Sequence, residues 1–206
     1  MKFKGLLSVA ALLAAGTAMA GGASKDGGLL FAFDGAIASQ PFRAAAGAPA
    51  NNTVAGVAAA GAPWGMTSFQ ALIKSNGEIR GKGTGVLLLG TDNIGTRGGP
   101  RQVIVSLFCR NAAVPPAVAG TVQTAPYNSA PVPLDEDGDF TVRSRLTDAN
   151  GQTPPADCGD GVDNRPVLLV RSFTPANPTT GAPAAAGAWF AAGVIAPNWI
   201  KYRSKL

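Results

Sequence analysis

The sequence predicts a single all-β domain: an antiparallel β-sandwich, with a barrel-like relative as the alternative. Three observations carry that expectation. Eight to ten short apolar or alternating runs are separated by Gly, Pro, Asn and Asp turns. Almost no stretch shows the 3.6-residue apolar period of an amphipathic helix. The 206 residues include 27 glycines and 16 prolines, which break helices, while 46% hydrophobic residues are enough for a core.

Residues 1–20 read as an export signal that is cleaved. Lys2 and Lys4 form a basic start, Gly5 to Gly16 is apolar, and Ala18-Met19-Ala20 supplies the small residues a signal peptidase accepts. The apolar run is short for a bilayer span, and no later stretch approaches eighteen apolar residues. No transmembrane segment is therefore expected after signal removal, and the destination is the bacterial periplasm or the extracellular space. Gly21 to Gly28 is a flexible start, and residues 29–206 form the domain.

Leu29 to Asp34 is the first expected strand. Residues 44–63, rich in Ala, Gly and Pro, are expected as a long loop or as an Ala-rich strand near Thr53 to Val57. Phe69 to Lys74 and Glu78 to Gly81 flank Ser75-Asn76-Gly77, a hairpin signature. Thr84 to Leu89 is a continuous apolar run, expected as a strand buried on both faces. In Gln102 to Arg110, the residues Val103, Val105, Leu107 and Cys109 share a face by the two-residue period, with Ile104 and Phe108 opposite. Val118 to Thr124 and Ser129 to Leu134 are further strands, the second limited by Pro131 and Pro133. Asp139 to Leu146 alternates: Phe140, Val142 and Leu146 on one side, Thr141, Arg143 and Arg145 on a basic outer side. Pro166 to Phe173 and Gly187 to Ile195 complete the set. A second Ala/Pro tract, Thr174 to Ala186, links them, and residues 199–206 form a basic tail.

The two cysteines, Cys109 and Cys158, are expected to pair in an oxidising compartment and to staple the fold. The chain contains no histidine. That excludes a Ser-His-Asp or Cys-His pair, a His general base and a His metal ligand. No Gly-x-Ser-x-Gly or phosphate-loop spacing occurs either. The protein is therefore expected not to be an enzyme, with a secreted carboxylate-based hydrolase as the alternative. No resident cofactor is implied.

Charge is unevenly spread. The chain carries +5, and loss of Lys2 and Lys4 leaves +3, too weak a bias for a nucleic-acid partner. Between Asp135 and Asp163, eight carboxylates face only Arg143 and Arg145, a net of −6, so the remainder is about +9. Within this segment, Asp135-Glu136-Asp137-Gly138-Asp139 places aspartates at alternating positions around a glycine. A calcium ion needs several oxygens converging from a tight turn, which makes Asp135, Asp137, Asp139 and Asp160 its candidate ligands. Phe140 and Leu146 stand where an EF-hand requires Gly and Glu, so that motif is excluded. A plain Asp/Gly β-turn is the competing reading. Trp64 and Trp199, each following a proline-containing segment, are candidate exposed ligand-stacking residues, whereas Trp189 belongs to a core strand. The expected role is non-catalytic binding or structure in the envelope or medium. A self-assembling surface subunit, joined through opposite charges or contacting the envelope surface, is the other alternative.

Overall fold

The computed structural model describes residues 27–43, 48–110, 122–159 and 164–196. The export signal and the basic tail lie outside these residues. Among the described residues there is no helix, and nine strands build one antiparallel sheet. They are β1 (Leu29–Ala38), β2 (Ser68–Lys74), β3 (Glu78–Thr84), β4 (Gln102–Phe108), β5 (Tyr127–Asn128), β6 (Val132–Pro133), β7 (Phe140–Arg145), β8 (Val167–Thr174) and β9 (Ala185–Ile195). The sheet order is β5-β4-β8-β9-β1-β2-β3-β7, with β6 paired to the start of β4. Of the two predicted forms, this is the barrel-like one: the sheet curls round until its ends nearly meet, instead of splitting into two facing layers.

Residues in and just beyond the outermost strands make the closure. Asn128 of β5 and Thr147, two residues past β7, exchange backbone hydrogen bonds of 2.8 and 3.1 Å. The Ala130 amide donates to the Ser144 hydroxyl at 2.9 Å. Closure needs sharp bends. One is the bulge in β1 between Phe33 and Ala36, where Gly35 adopts a φ of +94° that favours glycine. The Asn-Gly hairpin forms as its residues predict. Gly77 has a φ of +83°, its amide donates to the Lys74 carbonyl, and the Asn76 side-chain oxygen accepts from the Glu78 amide.

The interior is filled by side chains taken from alternate positions of the strands. Phe33, Phe69, Ile73, Ile79, Val103, Val105, Leu107, Val142, Leu146, Leu168, Val170 and Phe190 belong to one buried cluster. Beside one of the large rings only glycine fits. Gly83 pairs with Phe140 across β3 and β7, and a β-carbon there would come within 2.3 Å of the Phe140 ring.

A second apolar layer lies outside the barrel. Phe108, Leu169 and Trp189 point outward from β4, β8 and β9 and pack against Val54, Ala55, Val57, Ala59 and Val122. Residues within the tract 44–63 thus act as an arm laid over the sheet. Thr53–Val54 pairs with Val57–Ala58 as a minimal hairpin, and Ala59 bridges to Trp189. This explains why β4 is buried on both faces.

Several boundaries differ from expectation. Thr84 to Leu89 is not one strand. The chain turns at Gly85 (φ +67°), and only Leu87–Leu88 extends, against Trp64–Gly65. Val86 and Leu88 are buried, but Leu89 is exposed, so the run is a loop that contributes two core residues. Ser129 to Leu134 shrinks to the two residues of β6. Of Val118 to Thr124, residues 118–121 lie outside the described residues, and Val122 makes a single bridge to Arg110.

Candidate functional site

The acidic run forms the turn between β6 and β7. The Asp135 amide donates to the Asp139 carbonyl, and the Asp139 amide returns a 2.7 Å bond to the Asp135 carboxylate. The second Asp139 contact reaches the neighbouring loop: its carboxylate accepts from the Gly85 amide at 3.0 Å. The Val86 amide donates to the Gly138 carbonyl at 2.9 Å, and Gly138 takes a φ of +76°. Asp135 and Asp139 therefore each commit an oxygen to backbone N–H groups that shape the turn and pin the Gly85–Val86 loop onto it. Glu136 projects into solvent, 91% exposed, with the Arg97 guanidinium 4.0 Å away, and Asp137 is exposed as well. Of the four calcium candidates, the structure brings Asp135, Asp137 and Asp139 onto one turn; Asp160 lies outside the described residues. No group of three or more acidic, His or Cys side chains among the described residues converges as a metal site.

The aromatic candidates divide differently. Trp64 is a core residue, not an exposed platform. It is 4% exposed, and its indole lies 4.1 Å from the Phe190 ring, centre to centre. Its neighbours Ala62 and Pro63 suggested a surface loop. Instead its backbone is held inward, the Trp64 amide donating to the Ser39 carbonyl and Gly65 pairing with Leu87. Trp199 lies outside the described residues. Trp189 is buried as expected, although on the outer layer beneath the arm.

Cys109 and Cys158 form a disulfide, both side chains buried. The link is braced by the Arg110 amide donating to the Cys158 carbonyl at 3.0 Å. A buried disulfide points to an oxidising, extracytoplasmic compartment.

The most distinctive polar surface is the outer face of β2, β3 and β7. Alternation turns Phe69, Ala71, Ile73, Ile79, Phe140 and Val142 inward. Their neighbours Gln70, Leu72, Lys74, Glu78, Arg80, Lys82, Thr141, Arg143 and Arg145 are left on the outside. Register then sets the partners. Lys82 stands opposite Gln70 and Thr141, and Arg80 stands opposite Leu72 and Arg143. Asp34 of β1 borders the face, accepting from the Gln70 amide at 3.2 Å, and Asp135 and Asp139 line a depression beside Lys82. On the face itself four exposed cations, Arg80, Lys82, Arg143 and Arg145, and the buried Lys74 share one carboxylate, Glu78, which stands opposite Arg145. That carboxylate is already engaged: it meets Arg80 at 2.6 Å and Lys74 at 3.1 Å. The Lys74 contact above all, with help from Arg80, holds the Glu78 carboxyl below its ordinary range, against an opposing effect of burial that ranks second among the causes. Lys82, Arg143 and Arg145 have no carboxylate within ion-pair distance among the described residues. An open depression of about 370 Å³ lies among Gln70, Leu72, Arg80, Lys82, Thr141 and Arg143. Arg145 continues the face to the closure seam, where Asn128, Ser144, Thr147 and Asp148 line a second open depression of about 580 Å³.

On the opposite strands a different cation is buried. The Arg171 guanidinium donates to the carbonyls of Gly187 and Ala186, at 3.0 and 3.2 Å. Burial lowers its pKa from the usual value. Its bonds hold the irregular start of β9 against β8, a structural task.

The basic outer side of β7 was expected from its alternation; its merger with Arg80 and Lys82 was not. The signal lay in Glu78, Arg80 and Lys82 at alternate positions, on the strand that pairs with β7. No protein-family model, curated protein or solved structure matches the chain.

Proposed function

We propose that this is an exported, non-catalytic binding or structural protein of the bacterial periplasm or extracellular space, working from the outer surface of a filled barrel. The observation that supports this reading is the interior itself. Apolar rings and branched side chains occupy it, so the barrel is a scaffold and not a ligand-holding vessel. An apolar inside with a charged outside is also the reverse of a lipid-facing barrel, whose outer band is apolar. The best-placed acids, Asp135, Asp139 and Asp148, are engaged by backbone N–H groups in turns.

The test is to produce the full chain in a bacterial host, locate it by fractionation, and mix the mature protein with isolated cell envelopes. Export and co-sedimentation without release of soluble sugar are expected. Retention in the cytoplasm would overturn the reading. So would steady release of reducing sugar ends that is lost on substituting an acidic residue, an outcome that favours the carboxylate-based hydrolase.

A further inference from the structure

We propose that the outer face of β2, β3 and β7 is a binding surface for an anionic polysaccharide, a sugar polymer carrying carboxylate, sulfate or phosphate groups. The inference deepens the binding role proposed above and rests on it. Arg80 and Arg143 stand directly opposite each other on paired strands, where like charges destabilise the sheet. Lys82 is two residues along from Arg80 on the same face, and Arg145 two along from Arg143. Strand geometry therefore sets these cations about 5–7 Å apart in a two-dimensional array. A partner with repeated negative groups relieves the repulsion at several points at once.

The other groups on the face decide among anions. Thr141 adds a hydroxyl beside Lys82, and Gln70, whose amide also donates to Asp34, adds a second polar group, both suited to hydroxyl-bearing sugars; the depression of about 370 Å³ gives a ring somewhere to sit. None of the exposed large apolar side chains, Ile37, Phe42, Leu89, Ile94 and Val194, lies on these strands, and Leu72 is half-buried beside Ala32, so the face presents no exposed large apolar side chain to an acyl layer. No aromatic side chain lies among its outward residues, so the stacking that holds single-stranded nucleic acid is missing. Recognition on this face is ionic and directional: guanidinium groups paired with carboxylate, sulfate or phosphate oxygens.

The test uses the mature protein on immobilised heparin and alginate, with uncharged dextran as the control. Retention on the charged polymers, weakening steeply as sodium chloride rises, is expected. The triple variant Lys82→Gln, Arg143→Gln, Arg145→Gln is expected to bind about tenfold more weakly. It should keep the wild-type melting temperature, because all three side chains are exposed. Arg143→Lys, which keeps the charge but loses the fork, provides a milder variant and should fall between the two. The proposal is overturned if the triple variant binds as tightly as wild type, or if dextran is held equally well. It is also overturned by preference for phosphatidylglycerol vesicles or single-stranded DNA. A low-salt dimer dispersed by the triple substitution would assign the face to a second copy of the chain instead. Failure here alongside continued sedimentation with envelopes removes this surface and leaves the broader role standing.

Discussion

Gly138→Ala tests whether the acidic run is a turn or a cation site. Gly138 has a φ of +76°, and a β-carbon there would lie 2.5 Å from the Val86 nitrogen and 2.6 Å from its carbonyl oxygen. Left-handed geometry costs an alanine about 1–2 kcal/mol. The clash is with backbone, so no side chain can swing aside. Val86 is fully buried and its amide is tied to the Gly138 carbonyl, so relief requires moving the loop and overpacking the core, about 1–3 kcal/mol more. The sum is roughly 2–5 kcal/mol, and at about 2–4 °C per kcal/mol the melting temperature should fall by around 10 °C. Asp137→Ala is the companion variant. Asp137 is exposed and its side chain shapes nothing in the turn, so the change should stay within about 0.5 kcal/mol. Thermal unfolding of both, in millimolar calcium and in EDTA, is the assay. A Gly138→Ala melt within 2 °C or so of wild type would refute the packing argument. A rise of several degrees in calcium, abolished by Asp137→Ala, would refute the turn reading and restore the cation site.

Two further predictions follow from the same geometry. Replacing Cys109 and Cys158 together by serine opens a 49-residue loop in the unfolded chain, and should cost roughly 4 kcal/mol in a comparison of oxidised wild type and variant melts. Glu78 has its pKa depressed in the folded state, so its contribution is present above the ordinary carboxylate range and is lost as pH falls through the lowered value. Glu78→Gln should remove that acid-dependent increment from a pH series of melts. By freeing Arg80 and Lys74 it should also tighten retention on heparin, and weaker retention would contradict the charge argument.

Legibility of the fold tracked the range of the interactions that set it. Gln102–Phe108 and Phe140–Arg145 could be read because the two-residue period is local, and it correctly placed Cys109 with the inward set of β4. The Asn-Gly hairpin was equally local. Closure was not, since it depends on two-residue β5 and on Asn128 meeting Thr147, nineteen positions away. Neither segment carries a strand-like pattern of its own. Thr84 to Leu89 misled for a related reason. Continuous apolar residues mark burial without stating the backbone path, and Gly85, with its positive φ, lets the chain turn just after β3. The arm was not legible: the Ala-rich tract could be read only as a loop or a strand, and nothing local says that it packs over Phe108, Leu169 and Trp189.

The candidate surface shows the same limit more sharply. Arg143 and Arg145 were readable as the wet side of one strand, a pattern that by itself describes ordinary solvation. What changes its meaning is the register with Glu78–Thr84, a segment some sixty residues earlier, which places Arg143 against Arg80 while the Glu78 carboxylate turns to Lys74 and Arg80. Shifting that register by one residue would send these side chains into the core, so the interior packing of Ile79 and Val142 is what enforces the cationic juxtaposition outside. Core and surface are thus two readouts of one alignment. A substitution that loosens Val142 should disturb polymer binding even though it touches no charge, whereas Arg143→Gln should weaken binding without loosening the core.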